Sequence, residues 1–175
     1  DKIAWYEQNG SPVQTTYVPD DNFEQALIDL GYDDVLDDYV LTENISGVTS
    51  LDVDDKGIGD LTGIESFTAV TDLRIRYNQL TSLDVSNNTS LLTIRANENQ
   101  LTSINVSNNT ALTGLSCAYN NLTELDMSNN PLLDYLEVTL NQLTVLDLSN
   151  NTSLEYLDCS SNQLTTLDMR NGVTD

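Results

Sequence analysis

Apolar residues recur along this chain with a period of 21 residues. A leucine or isoleucine opens five consecutive copies, at Leu73, Ile94, Leu115, Leu136 and Leu157. The first four copies carry apolar or asparagine companions two, five, seven, ten, twelve and eighteen residues later. A fixed period of this length indicates stacked units that bury their apolar side chains only against neighbouring units. The pattern therefore predicts one elongated stack.

The residues of a single copy resemble a known consensus. One copy reads Leu115, Cys117, Asn120, Leu122, Leu125, Met127, Asn130 and Leu133. The order is similar to the leucine-rich repeat, L-x-x-L-x-L-x-x-N-x-L. The second half of each copy mimics the apolar pattern of the first half, which leaves too few residues for a full helix. We therefore predict a curved, right-handed leucine-rich repeat solenoid of about six turns. Parallel β-strands should line its concave face, and short extended segments its convex face.

The chain divides into three predicted regions. Residues 1–18 are polar and aromatic and are expected to form a lead or a hairpin. Residues 19–50 are interpreted as an N-terminal α-helical cap, and residues 51–175 as the solenoid. The repeat pattern stops after Met169, and Gly172 stands where an asparagine is expected. Since no capping pattern follows, we expect the natural protein to continue beyond this point.

A short helix is predicted inside the cap. Acidic residues precede Phe23, and apolar residues follow it at helical spacing as far as Leu30. Carboxylates favour a helix N-terminus, and Gly31 is a typical stop signal. The helix should span about residues 21–30 and cover the open first turn of the stack.

Two series of inward asparagines also follow the repeat. They are Asn78, Asn99, Asn120, Asn141 and Asn162, and then Asn88, Asn109, Asn130 and Asn151. A buried asparagine can bond backbone groups that would otherwise be left unpaired. We interpret both series as structural ladders.

The charge of the chain excludes several classes of partner. There are 28 acidic residues, 6 basic residues and no histidine, and the formal net charge is −22. Such a chain repels nucleic acid and anionic membranes. It contains no apolar run near the ~20 residues of a membrane helix and no signal-peptide pattern. We predict a monomer with no cofactor, no metal and no membrane insertion.

The two cysteines are predicted to be free. Cys117 and Cys159 lie 42 residues apart, which is two full repeats, and both occupy inward positions. Stacked strands are ~4.8 Å apart, so the pair should be separated by roughly 10 Å. A disulfide needs Cα atoms within ~7 Å. We interpret both thiols as core-filling side chains.

The outward positions of the strands are the candidate binding site, because side chains alternate along a strand. We predict that ligand contacts come from Arg74, Arg76, Tyr77, Arg95, Asn97, Glu98, Tyr119, Tyr135, Glu137 and Tyr156. Arginine and tyrosine are common at binding hot spots. Arg74 and Arg95 share one column and should repel each other unless acids or a ligand compensate them. The alternative is that Asp72, Glu98 and Glu137 merely neutralise these arginines on a solvated face.

A column of acids is the other candidate. It comprises Asp52, Asp84, Asp126, Asp147 and Asp168, interrupted by Asn105. Calcium prefers several oxygen ligands, but the glycine-rich loop and alternating acidic spacing of a dedicated site are missing. We therefore favour a solvated ladder that protects strand edges from aggregation.

Residues 17–80 resemble the helical cap and first repeats of internalin-type bacterial surface proteins. The later Leu-Asp-Val-Ser-Asn-Asn-Thr units resemble secreted leucine-rich repeat proteins of Bacteroidetes. The period of 21 is a departure, because internalins mostly use 22 residues. The family offers no common set of binding residues to transfer.

The resemblance implies binding rather than catalysis. No enzyme signature is present, and the acids of the strand side sit on an open surface that neither excludes water nor forms a pocket. We predict a non-enzymatic recognition or adhesion module, secreted or at the cell surface, that binds a protein or a surface glycan through its concave face. The alternative is a spacer or stalk within a larger surface protein.

Overall fold

The computed structural model describes residues 13–170, and in this range the chain forms ten short strands and two α-helices. The strands are β1 Thr15–Tyr17, β2 Tyr39–Leu41, β3 Ser50–Asp52, β4 Asp72–Arg74, β5 Thr93–Arg95, β6 Gly114–Ser116, β7 Tyr135–Glu137, β8 Val145–Asp147, β9 Tyr156–Asp158 and β10 Thr166–Asp168. The helices are α1 Asp21–Asp29, α2 Thr42–Ile45 and a 3-10 helix at Ile64–Ser66.

A parallel sheet of six strands forms the body of the molecule. Its order is β3-β4-β5-β6-β7-β9, so each repeat adds one strand beside the previous one. Ser50 pairs with Asp72, a step of 22 residues, and Asp72 pairs with Thr93, a step of 21. The predicted solenoid of about six turns with parallel strands is confirmed.

The core lies behind this sheet. Leu73, Ile94, Leu115 and Leu136 are fully buried because each lies between the strands before and after it. Leu157, in the last strand of the sheet, packs against the same core but is only partly buried. Burial therefore depends on a neighbouring turn, as expected for a stack in which units contact only their neighbours.

Both asparagine ladders are present. The Asn120 side chain accepts from the Leu101 N–H at 2.9 Å and donates to Ala96 O at 3.0 Å, two backbone groups of the preceding turn. In the second ladder, Asn109 Nδ2 donates to Val85 O at 3.1 Å and to Asn88 O at 2.9 Å. The ladders therefore connect successive turns on both sides of the core.

Helix α1 packs at the N-terminal end of the stack, and it ends one residue before the predicted limit. Oδ1 of Asp20 accepts from the Asn22 and Phe23 N–H groups, while its Oδ2 accepts from the Gly59 and Asp60 N–H groups. One carboxylate therefore caps the helix and ties it to the first turn. The ring centroids of Phe23 and of Phe67, which belongs to that turn, lie 6.3 Å apart.

Strand β1 pairs antiparallel with β2. The predicted lead comprises residues 1–18, and its residues 1–12 lie outside the described range, as does Gly172. Among those described, no helix is long and apolar enough to cross a membrane.

The second halves of the turns are extended, as predicted. β8 and β10 form a parallel pair, and an isolated parallel bridge joins Asp84 to Asn105. The predicted column of acids is wrong at one position. Asp52 pairs in register with Arg74 in the six-stranded sheet, because it belongs to the first half of its turn.

Candidate functional site

The outward residues of the six-stranded sheet and of the short segments that follow its strands form one surface, called here the strand face. Backbone hydrogen bonds between turns continue past the strands, from the Tyr77 N–H to Asn97 O and from the Tyr119 N–H to Thr139 O. All ten predicted contact residues lie on this surface. Three local arrangements organise them.

The first arrangement is a network around Arg74 and Arg95, which are paired in register. The carboxylate of Asp72 lies 3.0 Å from Arg74 Nη2 and 2.5 Å from Arg95 Nη1, and Asp52 lies 3.4 Å from Arg74 Nη1. Partial burial raises the pKa of Asp72, but the Thr93 hydroxyl and both arginines outweigh it and lower the pKa overall. Asp72 therefore compensates the repulsion expected between the arginines.

Arg76 is also ion-paired, to Asp54 at 2.6 Å. Every basic side chain within residues 13–170 has a carboxylate partner. Neither Glu98 nor Glu137 is among those partners. The arginines of the strand face therefore do not form an uncompensated cationic patch.

The second arrangement is a polar cluster that spans three turns. Asn97 Nδ2 donates to Glu137 Oε2 at 3.2 Å, and the Ser116 hydroxyl lies between Glu137 Oε2 and Asn97 Oδ1. Strand alternation predicts that Ser116 and Ala118 face solvent, but both are buried. The Asn97 and Glu137 side chains of the adjacent turns cover Ser116.

The third arrangement is an aromatic stack. The rings of Tyr135 and Tyr156 lie 4.5 Å apart and only 6° from parallel. Their backbones are paired in register between β7 and β9. Partial burial and the nearby Glu137 carboxylate raise the pKa of the Tyr135 hydroxyl. The Tyr135 hydroxyl therefore remains neutral at physiological pH.

A row of residues with positive φ lies along the margin of the strand face. The angle is 58° at Tyr77, 56° at Glu98, 56° at Tyr119 and 55° at Leu140. Glycine and asparagine adopt this conformation at least cost, and a bulky residue there is uncommon. Tyr77 is 51% exposed, Tyr119 53% and Leu140 42%. Large side chains thus project into solvent from backbone positions that do not favour them.

The acids of the second half-turns have a local structural role. Asp84, Asp126 and Asp147 each accept from the backbone N–H of the serine two residues later. Bonds from the serine hydroxyl and N–H lower the pKa of all three carboxyls. Asn105 accepts the same backbone bond from Ser107, so the position needs an oxygen acceptor rather than a charge. Within the described range, no group of three or more histidine, cysteine or acidic side chains could hold a metal ion.

Both cysteines are free, as predicted. Cys117 is fully buried, and burial raises the pKa of its thiol to about 12. Cys159 is partly exposed, and burial also raises the pKa of its thiol. Neither thiol is an activated nucleophile, since both are shifted away from the thiolate form.

Three features of this surface were not predicted from the sequence. Asp54 and Asp52 are ion partners of the arginines, and Gly114 opens a gap in the column that contains Thr93 and Tyr135. The 22-residue step of the first turn could have placed the two aspartates. The gap could have been found by comparing residue sizes down that column.

The repeats match a known family model and known bacterial proteins. The Leucine Rich Repeat model matches residues 121–141 and 153–171. Over 73 residues, the chain is 42% identical to Internalin J of Listeria monocytogenes serotype 4b, which corresponds to 42% of this chain and 8% of that protein.

Solved structures agree with the sequence match. The functional domain of InlJ from Listeria monocytogenes, which includes a cysteine ladder, superposes with a TM-score of 0.82 at 40% identity, over 90% of this chain and 36% of that one. An internalin, inlF, from the same organism gives a TM-score of 0.57 at 22% identity, over 87% of this chain and 63% of that one, and shows the fold alone. This chain thus spans about a third of the InlJ domain.

In fold and in the sequence of its repeats, the chain is similar to bacterial leucine-rich repeat proteins of the internalin type.

Proposed function

We propose that this chain is a recognition or adhesion module of a secreted or cell-surface bacterial protein, and that it binds a protein partner through the strand face. The main support is the row of exposed side chains at Tyr77, Tyr119 and Leu140. A bulky residue with positive φ costs of order 1 kcal/mol. Ser161 holds the same backbone conformation without a large side chain, so the fold does not require one there. A contact surface explains why large residues occupy these positions.

The proposed contact surface extends from this row across the sheet. It comprises Arg74, Arg76, Tyr77, Arg95, Asn97, Glu98, Tyr119, Tyr135, Glu137 and Tyr156, together with Leu140. Tyrosine supplies a large amphipathic contact area with few rotatable bonds. The ion-paired arginines remain about 40% exposed at the side chain, so they can still donate to a partner.

A structural spacer is the competing function, and the complete ion pairing of the arginines favours it. A surface glycan is the alternative ligand. Both can be separated from protein recognition by a binding screen with surface variants.

The screen uses the immobilised chain against a panel of purified extracellular proteins and a glycan array. The test variant is the double substitution Tyr77→Ser/Tyr119→Ser. Serine is compatible with this backbone conformation, because Ser161 adopts it at the equivalent position of a later turn. The control is Val145→Ser, which removes an exposed apolar side chain from β8, outside the strand face.

We expect a protein ligand whose affinity falls at least about tenfold in the double variant, as for hot-spot tyrosines, and less than about twofold in the control. A ligand bound equally by both variants places recognition elsewhere. No protein or glycan ligand at all favours the spacer.

A further inference from the structure

A cleft of about 340 Å³ opens on the strand face over β6, where the sequence predicted an open surface without a pocket. Gly114 is paired between Thr93 of β5 and Tyr135 of β7, so no side chain fills the space between those two. Gly114 does not have a positive φ, and an added Cβ would meet Thr93 Cγ2 at 3.4 Å, an ordinary contact. The backbone therefore does not require glycine here, and the cleft exists because the side chain is missing.

One wall of the cleft is aromatic. Tyr156 stacks on one face of the Tyr135 ring. Because Tyr135 is paired between Tyr156 and Gly114, its other face lies on the side of Gly114, which has no side chain to cover it. An aromatic face carries negative partial charge and attracts a cation that lies over it.

The charges around the cleft are unequal. Arg76 and Arg95 line one side, and each is already ion-paired, to Asp54 and Asp72 respectively. On the other side, Glu137 is bonded only to neutral groups, and no lysine or arginine in residues 13–170 lies within ion-pair distance of it.

Asp134 also lines the cleft, next to Tyr135, and it has no basic partner within the described range. The two arginines are therefore outnumbered by the four carboxylates at or beside the cleft. A carboxylate ligand would have to compete with Asp54 and Asp72 for the guanidinium groups. A cation would meet the open face of Tyr135 and the unpaired charges of Asp134 and Glu137.

We propose that this cleft is the subsite for a cationic side chain, a lysine or preferably an arginine, of the protein partner. The guanidinium plane stacks on the free face of Tyr135 as a third layer beyond Tyr156, and it donates to the Glu137 carboxylate. Arginine is favoured over lysine because its planar group stacks and donates at the same time. The net charge of −22 adds long-range attraction for a basic partner. The proposal rests on the proposed function, since it assigns one part of the partner to one part of the strand face.

The test is a titration of the ¹⁵N-labelled chain, followed by NMR, with the peptide acetyl-Gly-Arg-Gly-amide. Two peptides in which citrulline or glutamate replaces arginine serve as ligand controls, because citrulline keeps the planar shape without the charge. We expect saturable shifts in the millimolar range around Asn97, Gly114 and Glu137 with the arginine peptide. The citrulline and glutamate peptides should bind at least about fivefold more weakly.

Three variants complete the test. Gly114→Thr fills the cleft with the residue found at Thr93, and Glu137→Gln removes the charge but keeps the shape. Each should weaken the arginine peptide by at least about fivefold. Glu124→Gln is the matched control, since Glu124 is an exposed glutamate in the second half of its turn, and it should change binding less than about twofold. If Gly114→Thr does not fold, Glu137→Gln decides.

Other outcomes would overturn the subsite. These are a lack of saturation, equal binding of the citrulline peptide, or an equal effect of Glu124→Gln, which would indicate attraction by overall charge only. If one of these results is obtained and a protein partner still loses affinity in Tyr77→Ser/Tyr119→Ser, the subsite is rejected but the proposed function is retained. If no protein partner loses affinity in that double variant, the proposed function is rejected, whatever the peptide titration shows.

Discussion

At the scale of single residues, the ladder asparagines carry interactions that no apolar residue can replace. Asn120 bonds the backbone of its own turn and of the turn before, while the neighbouring Asn121 is exposed. A buried backbone group that loses its partner is destabilising, whereas an exposed group bonds to water. Two adjacent residues of the same type therefore differ in their contribution to stability.

We expect Asn120→Ala to lower the free energy of unfolding by about 2 kcal/mol, because the Leu101 N–H and Ala96 O lose their partner. Asn121→Ala should change it by less than about 0.5 kcal/mol. Urea denaturation followed by circular dichroism measures both. Equal effects would mean that the ladder does not contribute to stability.

The cysteines should differ in reactivity. With a pKa of about 12, only about one Cys117 thiol in ten thousand is ionised at pH 8, and the side chain is fully buried. Iodoacetamide at pH 8 should therefore modify the partly exposed Cys159 first. In Cys159→Ala, labelling should await unfolding, as mass spectrometry can show. Rapid labelling of that variant in the folded state would contradict the burial of Cys117.

At the scale of elements, α1 is attached to the first turn through Asp20, Asn22, Phe23 and Asp29. Four backbone N–H groups, two from the helix and two from the first turn, converge on one carboxylate. A helix of nine residues has little stability of its own. Its position therefore depends on the turn against which it packs.

We expect Asp20→Ala to destabilise the chain by about 1–2 kcal/mol, more than an N-cap deletion in an isolated helix. Asp21→Ala, one residue later and exposed, should remove only the interaction with the helix dipole, a few tenths of a kcal/mol. Thermal melts of both variants provide the comparison. Similar losses would show that the bonds from Gly59 and Asp60 are unimportant.

The contact between β4 and β5 should depend on pH and salt through Asp72. The pKa of Asp72 is lowered in the folded state, so the ionised carboxylate stabilises the fold. This contribution to the free energy of unfolding is fully present above the unfolded pKa of about 3.9 and is lost as pH falls through the folded pKa. Asp72→Asn should cost about 1 kcal/mol at pH 7 and low salt, a value typical of partly exposed ion pairs. The difference from wild type should vanish at low pH and shrink in high salt.

Chemical denaturation of wild type and Asp72→Asn at several pH values and salt concentrations measures this difference. Asp34→Asn, at an exposed position, is the control. A loss at pH 7 that persists unchanged in 1 M salt would indicate that Asp72 acts through packing instead of charge.

At the scale of the whole molecule, the excess of acidic residues dominates the electrostatics. Within residues 13–170, five carboxylates have a basic partner, and the remainder repel one another along the stack. Self-repulsion of this kind destabilises a compact state and is screened by salt. Salt should therefore increase the overall stability, although it weakens the ion pairs of Asp72.

We expect the melting temperature to rise when sodium chloride is increased from about 10 mM to about 500 mM, where the Debye length falls to only a few ångströms. Calcium and magnesium chloride of equal ionic strength should raise it equally, because the acids of the second half-turns bind serine N–H groups instead of forming a metal site. A larger shift with calcium would point to a specific site.

The repeat pattern was enough to predict the solenoid, the register of its turns, the inward residues, both asparagine ladders and the free cysteines. All of these follow from the repeat, because a constant period stacks equivalent positions on one another. Helix α1 was also predictable from its capping residues, to within one position. The placement of the ten candidate contact residues on one surface follows from strand alternation.

How those residues combine depends on side-chain contacts between turns, which the period does not specify. Ion pairing of Arg76 with Asp54, burial of Ser116 beneath Asn97 and Glu137, and stacking of Tyr135 on Tyr156 all join different turns. The period gives the positions of the backbones, but rotamers and the 22-residue first step decide which side-chain atoms meet. For the same reason, Asp52 was placed in the wrong column, and the cleft at Gly114 became visible only between the side chains of its neighbours.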